Sequence, residues 1–180
     1  DMGLFGGLLG MEPADDRLVS SEVLLQEAGI KAEIEIKTFD DPHPNTYRIN
    51  ISNGAEKFFV KALSTGGGMI EVIAIDDTPV SIEGDFWETL IFTESGADQS
   101  VILKELEEKF AYEQILTHDR KGGGLIEIKS QSPLDESGLE SLKVGRGVDC
   151  IKVLKPVLPI LSGAQISVPF SDCREMLEYN

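Results

Sequence analysis

The chain has 180 residues, of which 41% are hydrophobic and 27% charged, so it can bury a core and stay soluble. Its 32 acidic and 16 basic residues give a formal net charge of −16, which repels phosphate and anionic lipid. Neither nucleic acid nor a membrane is therefore an expected partner. Two cysteines without Cys-x-x-Cys spacing complete no four-ligand metal site, so we predict no metal site and a reduced, cytoplasmic protein.

The N-terminal stretch predicts one helix followed by one strand. The apolar segment at the very start is short and has no basic lead-in, which argues against a signal peptide. A helix is predicted over residues 14–29, with Asp15 or Asp16 as the candidate N-cap and Gly29 as its stop. Lys31–Lys37 alternates apolar and charged residues, which predicts a half-buried strand.

A run of antiparallel hairpins is predicted next. Asn53-Gly54 is a strong hairpin signal, and Gly66–Gly68 interrupts a second pair of alternating segments. The strands are predicted over residues 47–51, 57–63, 69–75 and 80–82.

The pattern changes at about residue 85 to alternating strands and helices. Strands are predicted over residues 87–93, 112–118, 125–130 and 148–154, and helices over 100–110 and 133–142. This order of strand, helix, strand, strand, helix, strand is typical of the ferredoxin-like plan. His118-Asp119-Arg120 is interpreted as part of a solvated hairpin, and a further helix is predicted to begin at Ser171.

Two polar segments are candidates for binding a small zwitterion. His43-Pro44-Asn45-Thr46 offers an imidazole, an amide and a hydroxyl at a strand entry, and Gly66–Gly68 leaves backbone N–H groups open to a carboxylate. On sequence alone, a turn that bonds its own backbone is the favoured explanation of the first segment, and a β-bulge or sheet crossing is the alternative for the second. No nucleotide-binding glycine pattern and no catalytic constellation is visible, so no catalytic residue is predicted.

Three segments, Leu8–Leu18, His43–Thr46 and Ser64–Ile70, resemble in order and spacing the β-portion of bacterial iron–sulfur L-serine dehydratases. The resemblance covers residues 4–93. It implies an α+β protein with a serine-dehydratase β-type, allosteric substrate-binding domain. This domain would span residues 1–84, followed by a ferredoxin-like, ACT-like domain over 85–155. Residues 156–180 would be a linker and the start of a helical catalytic domain.

The resemblance also implies a function. The parent enzyme would use a [4Fe–4S] cluster to deaminate L-serine to pyruvate and ammonia. Its cluster cysteines lie in the helical α-domain, so Cys150 and Cys173 are not assigned as ligands, and this segment alone is predicted to hold no cofactor and to be inactive. It would act as a regulatory, substrate-sensing part.

The implied effector site would bind L-serine or a related amino acid. Its candidate residues are His43, Asn45, Thr46, Gly66, Gly67 and Gly68. The expected partners are the helical α-domain or chain of the same enzyme and a second copy in a homodimer. The alternative is a stand-alone amino-acid sensor or dimerisation module built from the same domains.

Overall fold

The computed structural model describes residues 2–38, 40–41, 43–157 and 174. The protein is α+β, with two four-stranded antiparallel sheets. The residues before residue 39 belong to one compact unit, and residues 39–159 form another that contains both sheets. No helix in the described part of the chain is long and apolar enough to cross a membrane. Most of the predicted linker and helix start over 156–180 lies outside the described residues.

The first unit is helical. Helix α1 spans Met2–Leu8, a 3-10 helix spans Asp16–Ser20, and helix α2 spans Ser21–Glu27. The single helix predicted over residues 14–29 is therefore divided in two, and α1 was not predicted. The predicted cap is present, because a side-chain oxygen of Asp15 accepts the backbone N–H of Arg17 at 2.9 Å.

Close packing within this unit depends on a glycine. Phe5 of α1 and Leu25 of α2 are buried. A Cβ on Gly6 would lie 2.1 Å from Cδ2 of Leu18, so a larger residue there would require the Leu18 side chain to move. The apolar start of the chain thus forms a packed helix.

The strand predicted over Lys31–Lys37 is wrong. The segment has no regular secondary structure, and Ile34 and Ile36 are 49% and 99% exposed. Alternation defines two faces, but a strand also needs a neighbour for its backbone hydrogen bonds. No strand in the described part of the chain pairs with this segment.

Sheet I is a meander of four strands in chain order. They are β1 (Thr46–Ser52), β2 (Lys57–Gly66), β3 (Met69–Ile75) and β4 (Thr78–Ile82). All four predicted strands are present, with ends shifted by at most three residues. The Asn53-Gly54 turn joins β1 to β2, and Gly54 has the positive φ of 89° that such a turn requires.

Sheet II is interleaved with two helices. Its elements are β5 (Trp87–Glu94), α3 (Gln99–Lys109), β6 (Gln114–Arg120), β7 (Gly123–Ser130), α4 (Glu136–Leu142) and β8 (Val148–Leu154). The strands lie in the order β6-β7-β5-β8. The predicted succession of elements is thus present. Asp98 and Asp135 cap the two helices by accepting the backbone N–H groups of Ser100 and Gly138.

Sheet II is covered on both faces. The core on the helix side consists of Ile91, Ile102, Leu106, Ile126, Ile128, Leu139, Leu142 and Val148. The core on the side of sheet I consists of Ile75, Val80, Ile82, Leu90, Phe92 and Leu125. The central strands β5 and β7 are therefore buried along almost their whole length, including the polar residues Glu88, Thr89, Thr93 and Glu127.

Candidate functional site

The predicted binding residues lie at one end of sheet I. Thr46 is the first residue of β1 and pairs with Leu63 of β2. The carbonyl of Asn45 accepts the backbone N–H of Ser64 at 3.0 Å, which continues the same register. One step further along β2, the chain turns through Gly66–Gly68 into β3. The two candidate segments are thus neighbours at the same edge of the sheet.

The segment before β1 is a tight turn that bonds its own backbone. The backbone N–H of Asn45 donates to Nδ1 of His43 at 3.2 Å, and the hydroxyl of Thr46 donates to the carbonyl of His43 at 2.6 Å. With Nδ1 as acceptor, a neutral imidazole carries its proton on Nε2. The side-chain amide of Asn45 is exposed. Thr46 therefore supports the turn, while Asn45 is exposed and His43 is half-buried.

The glycine segment is a turn with unusual backbone conformation at each residue. Gly66, Gly67 and Gly68 have φ values of 98°, 62° and 81°. These left-handed values strain any residue with a side chain. A Cβ on Gly66 or Gly67 would meet no atom within 4 Å, so conformation rather than crowding requires glycine there. The turn is exposed, and the space beside it is open.

The site is an open edge rather than an enclosed pocket. The two best-formed depressions lie elsewhere, with volumes of about 460 Å³ beside α3 and about 360 Å³ at the β1–β2 hairpin. Neither is lined by His43, Asn45 or the glycines. The depression beside α3 is lined by Glu105 and Lys109, which form an ion pair with each other. It therefore offers a ligand no charge that lacks a partner.

Asp41 supports the site and was not identified from the sequence. Its carboxylate, only 6% exposed, forms ion pairs with Arg48 of β1 and Lys61 of β2. Hydrogen bonding from Lys61, reinforced by Arg48, lowers the pKa of Asp41. Arg48 and Lys61 are cross-strand partners, so their charges lie on the same face. The sequence did contain a signal for Asp41: the predicted β1–β2 hairpin places two cations, Arg48 and Lys61, opposite each other, and such a pair needs an acidic partner.

A second charged group is buried where the two sheets face each other. Lys129 lies 3.1 Å from Oε1 of Glu88 and 3.5 Å from Oε1 of Glu127, and it donates to the carbonyl of Ser81 in β4 at 2.7 Å. Nε2 of His118 lies 2.8 Å from Oε2 of Glu127. The hairpin predicted at His118-Asp119-Arg120 is present and Asp119 is exposed, but the His118 side chain is only 20% exposed because sheet I covers the face from which it projects.

Burial determines the protonation of this group. Burial raises the pKa of Glu88 to about 6, against the opposing effect of Lys129, and Glu127 and Asp85 raise it further. Burial alone would lower the pKa of Lys129, but Glu88 and Glu127 outweigh it and the pKa is raised. The Lys129 ammonium is therefore charged at neutral pH. The Glu88 carboxyl, with a pKa of about 6, titrates just below neutral pH.

The described residues do not fit an iron–sulfur cluster. Burial, with Asp149 nearby, raises the pKa of the Cys150 thiol, which disfavours the thiolate form that binds iron. Cys173 lies outside the described residues. Within the described part of the chain, no three His, Cys, Asp or Glu side chains are grouped to hold a metal.

Known proteins similar to this chain agree with the motifs found in its sequence. The L-serine dehydratase β chain of Peptoniphilus asaccharolyticus is 33% identical over 94 residues, 51% of this chain and 42% of the relative. The chain is similar to L-serine dehydratase β chains. The probable L-serine dehydratase β chain of Bacillus subtilis (strain 168) is 28% identical over 85 residues, 47% of this chain and 39% of the relative.

The similarity to serine dehydratase β chains is partial. The chain spans less than half the length of the two relatives. No family model matches it. The resemblance predicted from the sequence is confirmed at the level of a serine-dehydratase β-chain-like protein.

Proposed function

We propose that this chain is the amino-acid-sensing, regulatory part of an L-serine dehydratase that converts L-serine to pyruvate and ammonia. The observation that carries the proposal is the adjacency of two segments, the His43–Thr46 turn and the Gly66–Gly68 turn, at one end of sheet I. The names of the two β-chain relatives support serine as the amino acid.

The chemistry of the two turns suits a zwitterion. The carboxylate of an amino acid needs N–H donors, which the imidazole Nε2, the Asn45 amide and the backbone of the glycine turn supply. The ammonium needs oxygen acceptors, which the Asn45 amide oxygen and nearby carbonyls supply. In this proposal His43, Asn45 and Gly66–Gly68 contact the ligand, and Thr46 holds the turn in place.

The domains have separate roles in this proposal. Residues 1–84 form the allosteric substrate-binding domain, and residues 85–155 form a ferredoxin-like, ACT-like domain. The strand order β6-β7-β5-β8 with two helices on one face supports the second assignment. Residues 156–180 lead to the helical catalytic part.

The chemistry of the enzyme resides in its partner. A [4Fe–4S] cluster would be held by the helical α-domain or α chain, since Cys150 is a poor ligand in its surroundings. When bound there, the cluster would act as a Lewis acid in removing water from serine. This chain alone would be inactive, would work in the cytoplasm, and would associate with the α part and with a second copy of itself.

Titration of the full chain with L-serine tests the site. We expect amide chemical-shift changes in two-dimensional NMR spectra to cluster at residues 43–46 and 64–70. A charge-assisted hydrogen bond contributes about 1.5–3 kcal/mol, so Asn45→Ala should weaken binding by about one to two decades.

Asn53→Ala is the matched control for this experiment. Asn53 lies in the β1–β2 turn, and its side chain also accepts backbone N–H groups. It lies at the opposite end of β1 from Asn45, so its loss should leave serine affinity unchanged. Shifts that cluster elsewhere, or none at saturating serine, would contradict the proposal.

A further inference from the structure

Four titratable side chains between the sheets form one connected cluster, named here the inter-sheet cluster, in which two are buried and the side chains of Lys129 and His118 are 12% and 20% exposed. It consists of Glu88 of β5, Glu127 and Lys129 of β7, and His118 of β6. Glu88 and Lys129 are direct cross-strand partners. Glu127 follows on the same face two residues before Lys129, and it bonds to His118. Both glutamates are 0% exposed.

The charges of this cluster do not balance at neutral pH. Two carboxylates and one ammonium leave one negative charge in a largely buried space, unless Glu88 takes up a proton. Oε2 of Glu88 has no hydrogen-bond partner among the described residues. A buried charge without full compensation destabilises the folded state.

Among the described residues, no neighbouring element supplies the missing positive charge. Strand β4 of sheet I contains no charged residue and contributes only the Ser81 carbonyl. Asp85, which precedes β5, adds further negative charge. The two other basic groups on this face, Arg120 and Lys152, bind Asp76 and Glu56 respectively.

We propose that the inter-sheet cluster is a one-proton switch that stabilises the packing of sheet I on sheet II more at mildly acidic pH than at neutral pH. A proton bound by Glu88 removes the uncompensated charge. Unfolding exposes Glu88 to water, where it releases that proton more readily. The folded state therefore binds more protons than the unfolded state, and stability falls as pH rises.

The expected size follows from the shift at Glu88. Its pKa is raised from 4.5 to about 6 in the folded chain. Between pH 5.0 and 7.5, this difference should increase the unfolding equilibrium constant about eightfold through Glu88 alone. Other carboxyl groups titrate in the same range, so the contribution of Glu88 must be isolated by comparison with a variant.

Urea unfolding of the full chain and of Glu88→Gln at pH 5.0 and 7.5 isolates it. From pH 5.0 to pH 7.5, the folding equilibrium constant of the unmodified chain should fall about eightfold more than that of Glu88→Gln. Glu56→Gln is the matched control, because Glu56 also joins the sheets through Lys152 but is partly exposed. It should follow the unmodified chain.

A second measurement needs no variant. Carboxyl-carbon NMR of the full chain should show Glu88 taking up a proton between pH 7.5 and 5.0. A pH dependence retained in full by Glu88→Gln would overturn the proposal. So would titration of Glu88 below pH 5.

Discussion

At the scale of single residues, Asp76 links the two sheets through an uncommon backbone conformation. It follows β3 and has a φ of 52°, the only positive φ of a non-glycine residue in the described part of the chain. Its backbone N–H donates to the carbonyl of Phe59 at 2.7 Å, and its Oδ1 accepts the N–H of Phe59 at 2.9 Å. Its Oδ2 accepts from Arg120 of sheet II at 3.3 Å. One side chain therefore connects the β3–β4 turn to β2 and to sheet II.

Two substitutions at Asp76 separate these contributions. Asp76→Ala removes the carboxylate and leaves a Cβ in the left-handed region, so we expect a loss of about 2–3 kcal/mol in the free energy of unfolding. Asp76→Gly removes the carboxylate but relieves the backbone strain, so its free energy of unfolding should be about 1 kcal/mol higher than that of Asp76→Ala. Urea unfolding measures both. Equal losses would show that the backbone conformation carries no cost.

The residues of the candidate site were easier to predict than the inter-sheet cluster. Turn residues such as His43 and Asn45 are recognisable because their chemistry acts locally, within a few positions. Glu88 and Glu127 lie in strands that alternate charged and apolar residues, the usual pattern of a sheet with one wet face. Only the presence of sheet I over that face makes them buried, and this is a contact between distant parts of the chain.

At the scale of elements, the start of β7 requires glycine for two different reasons. A Cβ on Gly123 would lie 1.7 Å from the backbone oxygen of Thr93 in β5. A Cβ on Gly124 would lie 1.9 Å from Nε2 of Gln99, at the far end of a flexible side chain. The first clash can be relieved only by moving the paired strands apart.

Gly123→Ala should therefore destabilise the protein more than Gly124→Ala. We expect the first to cost about 3 kcal/mol or more in the free energy of unfolding, and the second about 1 kcal/mol once Gln99 rotates away. Thermal or urea unfolding of the two variants provides the comparison. A larger loss for Gly124→Ala would contradict this account of the β5–β7 pair.

Periodicity predicted the elements of both sheets but not every segment. Strand β8 was predicted with its observed limits, and β3 likewise. Lys31–Lys37 has the same alternation but forms no strand. Alternation shows that a segment could have one apolar and one polar face, but it does not show whether a neighbouring strand is there to pair with it. Helix α1 was missed since its glycines lower helix propensity, and one of them, Gly6, is needed for close packing against Leu18.

At the scale of the whole molecule, the proposed division of labour predicts an inactive chain. After anaerobic incubation with iron and sulfide, the full chain should form no pyruvate from L-serine above background, because neither Cys150 nor its described surroundings suit a cluster. A coupled pyruvate assay measures this. Turnover by the chain alone would contradict the assignment of catalysis to a helical partner.

A control makes this negative result informative. Cys150→Ser should leave any iron content and activity unchanged, since the thiol lies half-buried beside the core that faces sheet I. Loss of bound iron in that variant would identify Cys150 as a ligand after all.

The strand order of sheet II also has a consequence for synthesis on the ribosome. The strands of sheet I pair only with their chain neighbours, so that meander can form as soon as it emerges. Strand β5 instead lies between β7 and β8. One of its two edges, where Thr89 pairs with Val153, stays unpaired until β8 has been synthesised. Non-local pairing of this kind slows folding and leaves an open edge in the interim. Nascent chains halted before β8 should therefore be the ones that chaperones bind.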